Sequence, residues 1–196
     1  MFYYFARVII VPVLFVLMFC PKIVGKKNMP KKGKVIYICN HKTLLDPVIF
    51  GYFSRRQIIF LAKKELFKNK FATFIMEHYG AISVDRGSGA TSAIKKAFKV
   101  LKKEQPLGIF PEGRRVKEMD LGHFEPGAAM IALKTDTPVV PVAIKGKVKF
   151  FHRLKVVIGE PMNLKDYVGS EVNTDSIAEA TELLRNKILE LRQKVI

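Results

Sequence analysis

Five consecutive apolar residues, Val35-Ile36-Tyr37-Ile38-Cys39, break abruptly into Asn40-His41-Lys42-Thr43-Leu44-Leu45-Asp46-Pro47. Such a run predicts a buried strand, and the residues after Pro47 predict a helix over 48–53. His41 then falls at the carboxyl end of a strand, on a loop, where open sheets place reactive groups. Its separation from Asp46 is too wide for neighbours on one helix face and comfortable across a turn. Asp46 can therefore fold back onto one ring nitrogen, fix the tautomer and leave the other nitrogen as a base. No serine stands in a Gly-x-Ser-x-Gly setting, so the base is expected to act on a substrate hydroxyl. Spacing alone also fits a surface histidine beside a capping aspartate.

From Lys34 onward strand and helix signals alternate. Strands are expected over 57–62, 82–84, 107–110, 139–144 and 155–158. A helix is expected over 65–79, with Phe67, Phe71, Phe74, Ile75 and Tyr79 on one apolar face. Others should follow a cap at Ser88, open at Pro126, and close the chain from a cap near Thr174. Ile177, Ala180, Leu184, Ile188, Leu191 and Val195 form the last helix's buried stripe. With no internal repeat or low-complexity linker, residues 34–196 read as one α/β domain with a mixed central sheet flanked by helices.

The segment before it is different. Thirteen apolar residues run from Val8 to Cys20, after Tyr3, Tyr4 and Arg7 and before Pro21. There is neither a lysine ahead of this core nor a small-residue cleavage site behind it, so it does not read as a signal peptide. We expect a membrane-associated helix over residues 1–24, lying in the interface or making a short span. Lys26, Lys27, Lys31 and Lys32 lie in a basic linker over 25–33, flanked by Lys22 and Lys34. Such a run suits anionic lipid and marks the cytoplasmic face. The whole chain carries 34 Lys and Arg against 17 Asp and Glu, which directs it towards a polyanion: nucleic acid, anionic headgroups or a phosphorylated substrate. No nucleic-acid motif accompanies the charge, so a nucleic-acid partner is not expected. Cys20 and Cys39 sit in apolar runs and read as reduced and buried. The four histidines show no zinc spacing, and no metal is expected.

Four blocks, in order, carry a resemblance. They are Asn40-His41-x4-Asp46-Pro47, Gly80-x-Ile82-x-Val84-Asp85-Arg86, Phe110-Pro111-Glu112-Gly113-x-Arg115 and Val140-Pro141-Val142. Together with Lys63 in Phe-Leu-Ala-Lys-Lys-Glu-Leu-Phe and with Ile158-Gly159-Glu160-Pro161, they resemble the glycerophospholipid acyltransferases, particularly the 1-acylglycerol-3-phosphate (lysophosphatidic acid) acyltransferases. The likeness covers roughly residues 33–162.

The resemblance implies transfer of a fatty acyl group from acyl-CoA or acyl carrier protein to the sn-2 hydroxyl of lysophosphatidic acid, giving phosphatidic acid. The donor thioester is a co-substrate, and no cofactor is expected. His41 and Asp46 would be the catalytic pair. Arg115 would hold the phosphate, with Arg86 and Lys63 as further cations. Glu112 and Gly113 would shape the site, and backbone N–H groups near the first block would stabilise the oxyanion. Three departures stand out: Thr43 in place of the usual serine, Arg114 in place of threonine, and Glu125-Pro126-Gly127 where a lysine-rich turn is usual. Glu125 beside a phosphate would be unfavourable, so that turn is expected to face elsewhere. Glycerol 3-phosphate or another lysolipid is the alternative acceptor, and an inactive lipid-binding relative is disfavoured by the intact His41/Asp46 pair.

Overall fold

The computed structural model describes residues 22–43, 46–84, 90–115, 122–146 and 154–194. Residues 1–21, Arg86, the Ser88 cap and Val195 lie outside them. No helix among the described residues is long and apolar enough to cross a membrane.

Among the described residues seven strands form one sheet: β1 (Lys22–Val24), β2 (Val35–Cys39), β3 (Ile59–Lys63), β4 (Ala81–Val84), β5 (Pro106–Ile109), β6 (Val139–Lys145) and β7 (Lys155–Ile158). Their spatial order is β1-β7-β6-β2-β5-β3-β4. β2 through β6 run parallel, whereas β7 is antiparallel to β6, and β1 runs with β7. Every residue of β2 is buried. Ile36 and Ile38 enter the apolar core on one face, and Val35, Tyr37 and Cys39 enter the core on the other. This is why the strand reads as an unbroken apolar run rather than an alternating one. Pro141 interrupts β6 where its partner changes: Val142 pairs with Ile158 of β7, and Val139 with Met162. The carbonyl of Pro141 accepts from Gly159 at 2.8 Å, so its missing N–H falls between two pairings.

Among the described residues six α-helices accompany the sheet: α1 (Asp46–Phe53), α2 (Lys70–His78), α3 (Ala90–Lys102), α4 (Gly127–Thr135), α5 (Lys165–Val168) and α6 (Thr174–Gln193). α3, α4 and α6 close one face through Val100, Leu101, Ala129, Leu133, Leu184 and Ile188. Ile49 and Phe53 of α1 pack on the other. The last helix starts from an Asn173–Ser176 capping box, with Ser176 N donating to Asn173 Oδ1 at 2.9 Å and Asn173 N to Ser176 Oγ at 3.0 Å. Asn173 thus supplies the cap expected near Thr174.

Two expectations change. The helix anticipated over 65–79 is divided into a 3-10 turn at Lys64–Leu66 and α2, because Asn69 accepts from Ala72 N at 2.8 Å and caps a fresh start. Phe71 and Phe74, expected on the apolar face, are 47% and 54% exposed. At the other end, Lys22–Val24 belongs to the sheet rather than to a preceding helix, since its residues pair with Lys155–Val157. β1 runs opposite to β2, so the chain joins the sheet at the edge holding the carboxyl ends of β2–β6. It then crosses over residues 25–34 to the amino edge. There Lys34 Nζ donates to Thr135 O at 2.6 Å and Lys34 N to Glu104 Oε2 at 2.9 Å. The basic run from Lys26 to Lys34 therefore leads away from the edge that carries His41.

Candidate active site

β2 ends because Asn40 replaces a backbone pairing with a side-chain one. Its Nδ2 donates to Ile144 O at 3.0 Å, and its Oδ1 accepts from Ile144 N at 2.7 Å. This two-point attachment to β6 is buried and anchors the turn that follows. Lys42 Nζ adds a bond to Gly146 O at 2.5 Å, just past the end of β6.

The turn closes on Asp46. His41 Nδ1 lies 2.9 Å from Asp46 Oδ2, while Lys42 N and Thr43 N donate to the same oxygen at 2.6 and 2.7 Å. Thr43 Oγ1 donates to Oδ1 at 2.8 Å, so the hydroxyl kept by the serine-to-threonine departure is used. Asp46 is fully buried, and the His41 side chain is 20% exposed. Two backbone amides can only donate, so this carboxylate accepts, and the ring contributes Nδ1–H. The remaining nitrogen, Nε2, carries the basic lone pair.

The imidazole is stacked on Phe110, with ring centroids 4.2 Å apart and planes at 24°. Phe110 in turn stacks on Phe60 at 5.6 Å and 14°. Phe60 crosses the sheet at Gly108, where a Cβ would stand 2.2 Å from its ring. No other residue type leaves that ring its place.

Glu112 approaches from the turn after β5. Both its carboxylate oxygens lie 3.3 Å from His41 N. Burial pushes its pKa up from 4.5 to about 7, and the charge of Asp46 adds to the shift. The amides of Glu112 and His41, and Arg192 on α6, pull the other way. Gly113 holds φ at +61°, a value suited to glycine, and its N–H bonds to Phe110 O at 3.1 Å. The Cys39 thiol is buried and pushed up by desolvation first and by the charges of Asp46 and Glu112 next. That makes it a poor nucleophile.

The acyltransferase family model matches residues 20–145, which contain His41, Asp46, Phe110, Glu112 and Gly113. The chain belongs to the acyltransferase family. It is 33% identical over 180 residues to 1-acyl-sn-glycerol-3-phosphate acyltransferase of Bacillus subtilis, covering 89% of each chain. It is 31% identical to the enzyme of that name from Borreliella burgdorferi, over 85% of this chain and 69% of the relative. The fold is similar to the crystal structure of the 1-acyl-sn-glycerophosphate acyltransferase PlsC of Thermotoga maritima. That match has a TM-score of 0.66 at 23% identity, over 92% of this chain and 79% of the other.

In this acyltransferase the anticipated site residues are only partly brought together. His41, Asp46, Glu112 and Gly113 converge at the carboxyl ends of β2 and β5. Lys63 is exposed at the end of β3, with β5 between it and β2. Arg114 and Arg115 are both exposed. Arg115 forms no ion pair with Glu112, whose oxygens face the His41 amide instead. The turn at Glu125 does not face elsewhere. Its N–H donates to Pro111 O at 2.8 Å, and its Cγ lies 3.7 Å from where a Cβ on Gly113 would be. Phe124, 1% exposed, roots the turn in the core, while Glu125 itself is exposed. The amides of residues 41, 42 and 43 all point at carboxylates, so these three are not free to serve as oxyanion donors. Asn40, Phe60, Gly108 and Phe110 had no assigned role. The signal for them is their place at strand ends or opposite one another in register, as Phe60 and Gly108 are.

Two outcomes follow from this geometry. Gly108→Ala should displace the Phe60 ring, destabilise the protein by about 1–3 kcal/mol and lower turnover by loosening the stack under His41. A variant as stable and as active as the parent would show that the ring stack does not position the base. The second concerns Glu112. A raised folded-state pKa means that the stability it contributes is whole below pH 4.5 and is lost as pH rises to about 7, on the order of 3 kcal/mol. Glu112→Gln should flatten that segment of the stability-versus-pH curve measured by denaturant unfolding. An unchanged slope would show that Glu112 titrates normally.

Proposed function

We propose that this acyltransferase moves a fatty acyl group from a thioester, acyl-CoA or acyl carrier protein, to the sn-2 hydroxyl of 1-acylglycerol 3-phosphate, giving phosphatidic acid. The observation that carries the reading is the His41–Asp46 pair: a partly exposed imidazole whose Nδ1 is held at 2.9 Å by a fully buried carboxylate. The activity for which the Bacillus and Borreliella relatives are named supports the acceptor.

His41 Nε2 takes the proton of the acceptor hydroxyl as its oxygen attacks the thioester carbonyl. Asp46 stabilises the imidazolium that results and keeps the ring in place. The tetrahedral intermediate collapses by breaking the C–S bond, and the leaving thiolate takes the proton from the imidazolium. Ester, free thiol and neutral histidine result, so neither a covalent enzyme intermediate nor a cofactor is needed. Arg115 is our first choice for the phosphate, because a planar guanidinium can hold two phosphate oxygens. Arg86 and Lys63 are further cations for the same purpose, and Gly113 allows the turn to approach the ligand. The acceptor and product are amphiphiles that remain in the bilayer, which supports work at the cytoplasmic membrane face with residues 2–20 as an anchor.

The test is acyl transfer by the purified chain in mixed micelles, comparing lysophosphatidic acid with glycerol 3-phosphate under acyl-CoA and acyl carrier protein. His41→Ala should lower turnover by about 10²–10⁴-fold with the thermal midpoint retained, and Arg115→Ala should raise KM for the acceptor more than for the donor. Near-parental turnover in His41→Ala would remove it from the chemistry. Preference for glycerol 3-phosphate would overturn the acceptor.

A further inference from the structure

The last helix lies beyond residue 145, where the family match ends, and none of its polar side chains has a role so far. Its inner stripe puts Leu184 and Ile188 into the same apolar core as Phe124, which roots the turn at Glu125. Beside that stripe, Arg185 Nε donates to Gly122 O at 3.4 Å, where the chain leads into this turn. Glu125 N then donates to Pro111 O at 2.8 Å, next to Glu112. α6 is thus fastened to the segment that meets the turn after β5. Arg192 follows Arg185 by seven residues, two turns along the same face and about 10 Å further on. It is half-buried, and its neighbour Leu191 packs on the same core.

This brings a guanidinium from the end of the chain within electrostatic reach of Glu112. The Glu112 carboxylate is buried, with both oxygens 3.3 Å from His41 N. The charged and titratable groups around it come from several elements. Asp46 at the start of α1 repels its charge, and Cys39 of β2 is held as a neutral thiol. Arg114, Arg115 and Glu125 on the adjoining turns are exposed, so water and salt screen them. Burial favours the neutral carboxyl. Its own amide, the His41 amide and the Arg192 charge favour the carboxylate. Without that charge, burial and Asp46 meet less opposition and Glu112 takes up a proton more readily. A neutral carboxyl accepts an amide hydrogen bond more weakly than a carboxylate does. The proton would therefore loosen the hold on the backbone of His41.

We propose that Arg192 is a positioning residue of this active site: its guanidinium keeps Glu112 in the form that grips the His41 amide, and so holds the base in place. The proposal rests on the acyl-transfer reading above and adds the C-terminal helix to the machinery. Direct contact with the acceptor's phosphate is a different role for the same guanidinium, and the two give different results.

The full-length protein, labelled with ¹³C at the glutamate carboxyls and ¹⁵N in the backbone, is titrated without substrate from acid to alkaline pH. The carboxyl resonance lost in Glu112→Gln identifies Glu112. In the parent, the His41 amide should titrate with the same midpoint as the Glu112 carboxyl. Arg192→Gln and Arg192→Met remove the charge and keep much of the stem. Both midpoints should move to higher pH in these variants and return in Arg192→Lys. With lysophosphatidic acid as acceptor, kcat/KM of the uncharged variants should fall about threefold at neutral pH and recover at alkaline pH. An unmoved Glu112 midpoint would overturn the proposal, and with a raised acceptor KM it would mark a phosphate contact instead. A His41 amide that ignores the Glu112 titration would overturn it too, as would a loss of activity equal at every pH, which marks a merely structural arginine. Because both titrations are read without substrate, failure of this coupling and failure of the acyl-transfer assignment are told apart.

Discussion

A carboxylate with no solvent exposure at all sits at the centre of this site. Burying an ionised Asp46 would cost several kcal/mol if it were left alone. Four donors offset that cost, and all four come from the three residues His41, Lys42 and Thr43. The turn after β2 is therefore shaped around one charge. Its backbone amides are turned inward, the imidazole is left with a single tautomer, and α1 begins at the same residue. Removing the carboxylate would free two amides and a hydroxyl as well as the ring, so the local fold and the proposed base depend on one interaction.

The rest of the sheet serves to hold that turn still. Asn40 ties it to β6 on one side. On the other, Glu112 receives the His41 amide from the turn after β5. Beneath the ring, Phe110 and Phe60 form a stack that exists only because Gly108 leaves room in the strand between. Three parallel neighbours, β6, β2 and β5, thus meet at their carboxyl ends with one contribution each. Glu112 is the member under tension. Desolvation favours its neutral form and two backbone amides favour its ionised one, so its charge is balanced near neutrality.

Much of this was legible because it is local. β2 announces itself by five apolar residues, and His41 and Asp46 by a spacing that only a turn can close. What escaped was decided at long range. Three residues such as Lys22-Ile23-Val24 carry too little pattern to be told from the end of a preceding helix. Their pairing with β7 reverses the direction in which the lysines after them run. Phe71 and Phe74 carry a helical apolar period, but periodicity does not say whether a neighbour covers that face. Glu125 was expected to avoid the site on grounds of charge, yet a backbone hydrogen bond to Pro111 and the buried Phe124 place its turn there, with its side chain exposed. Arg115 was singled out by its place in the third block and its planar guanidinium, and the structure leaves it exposed.

The central claim is that Asp46 fixes His41 as the Nδ1–H tautomer with a free Nε2. Two-bond proton–nitrogen correlation spectra of the imidazoles, recorded on ¹⁵N-labelled protein at alkaline pH, test it directly. The account predicts a pyrrole-type Nδ1 and a pyridine-type Nε2 for His41, with that pattern lost in Asp46→Asn. A pyridine-type Nδ1 in the unsubstituted protein would contradict it.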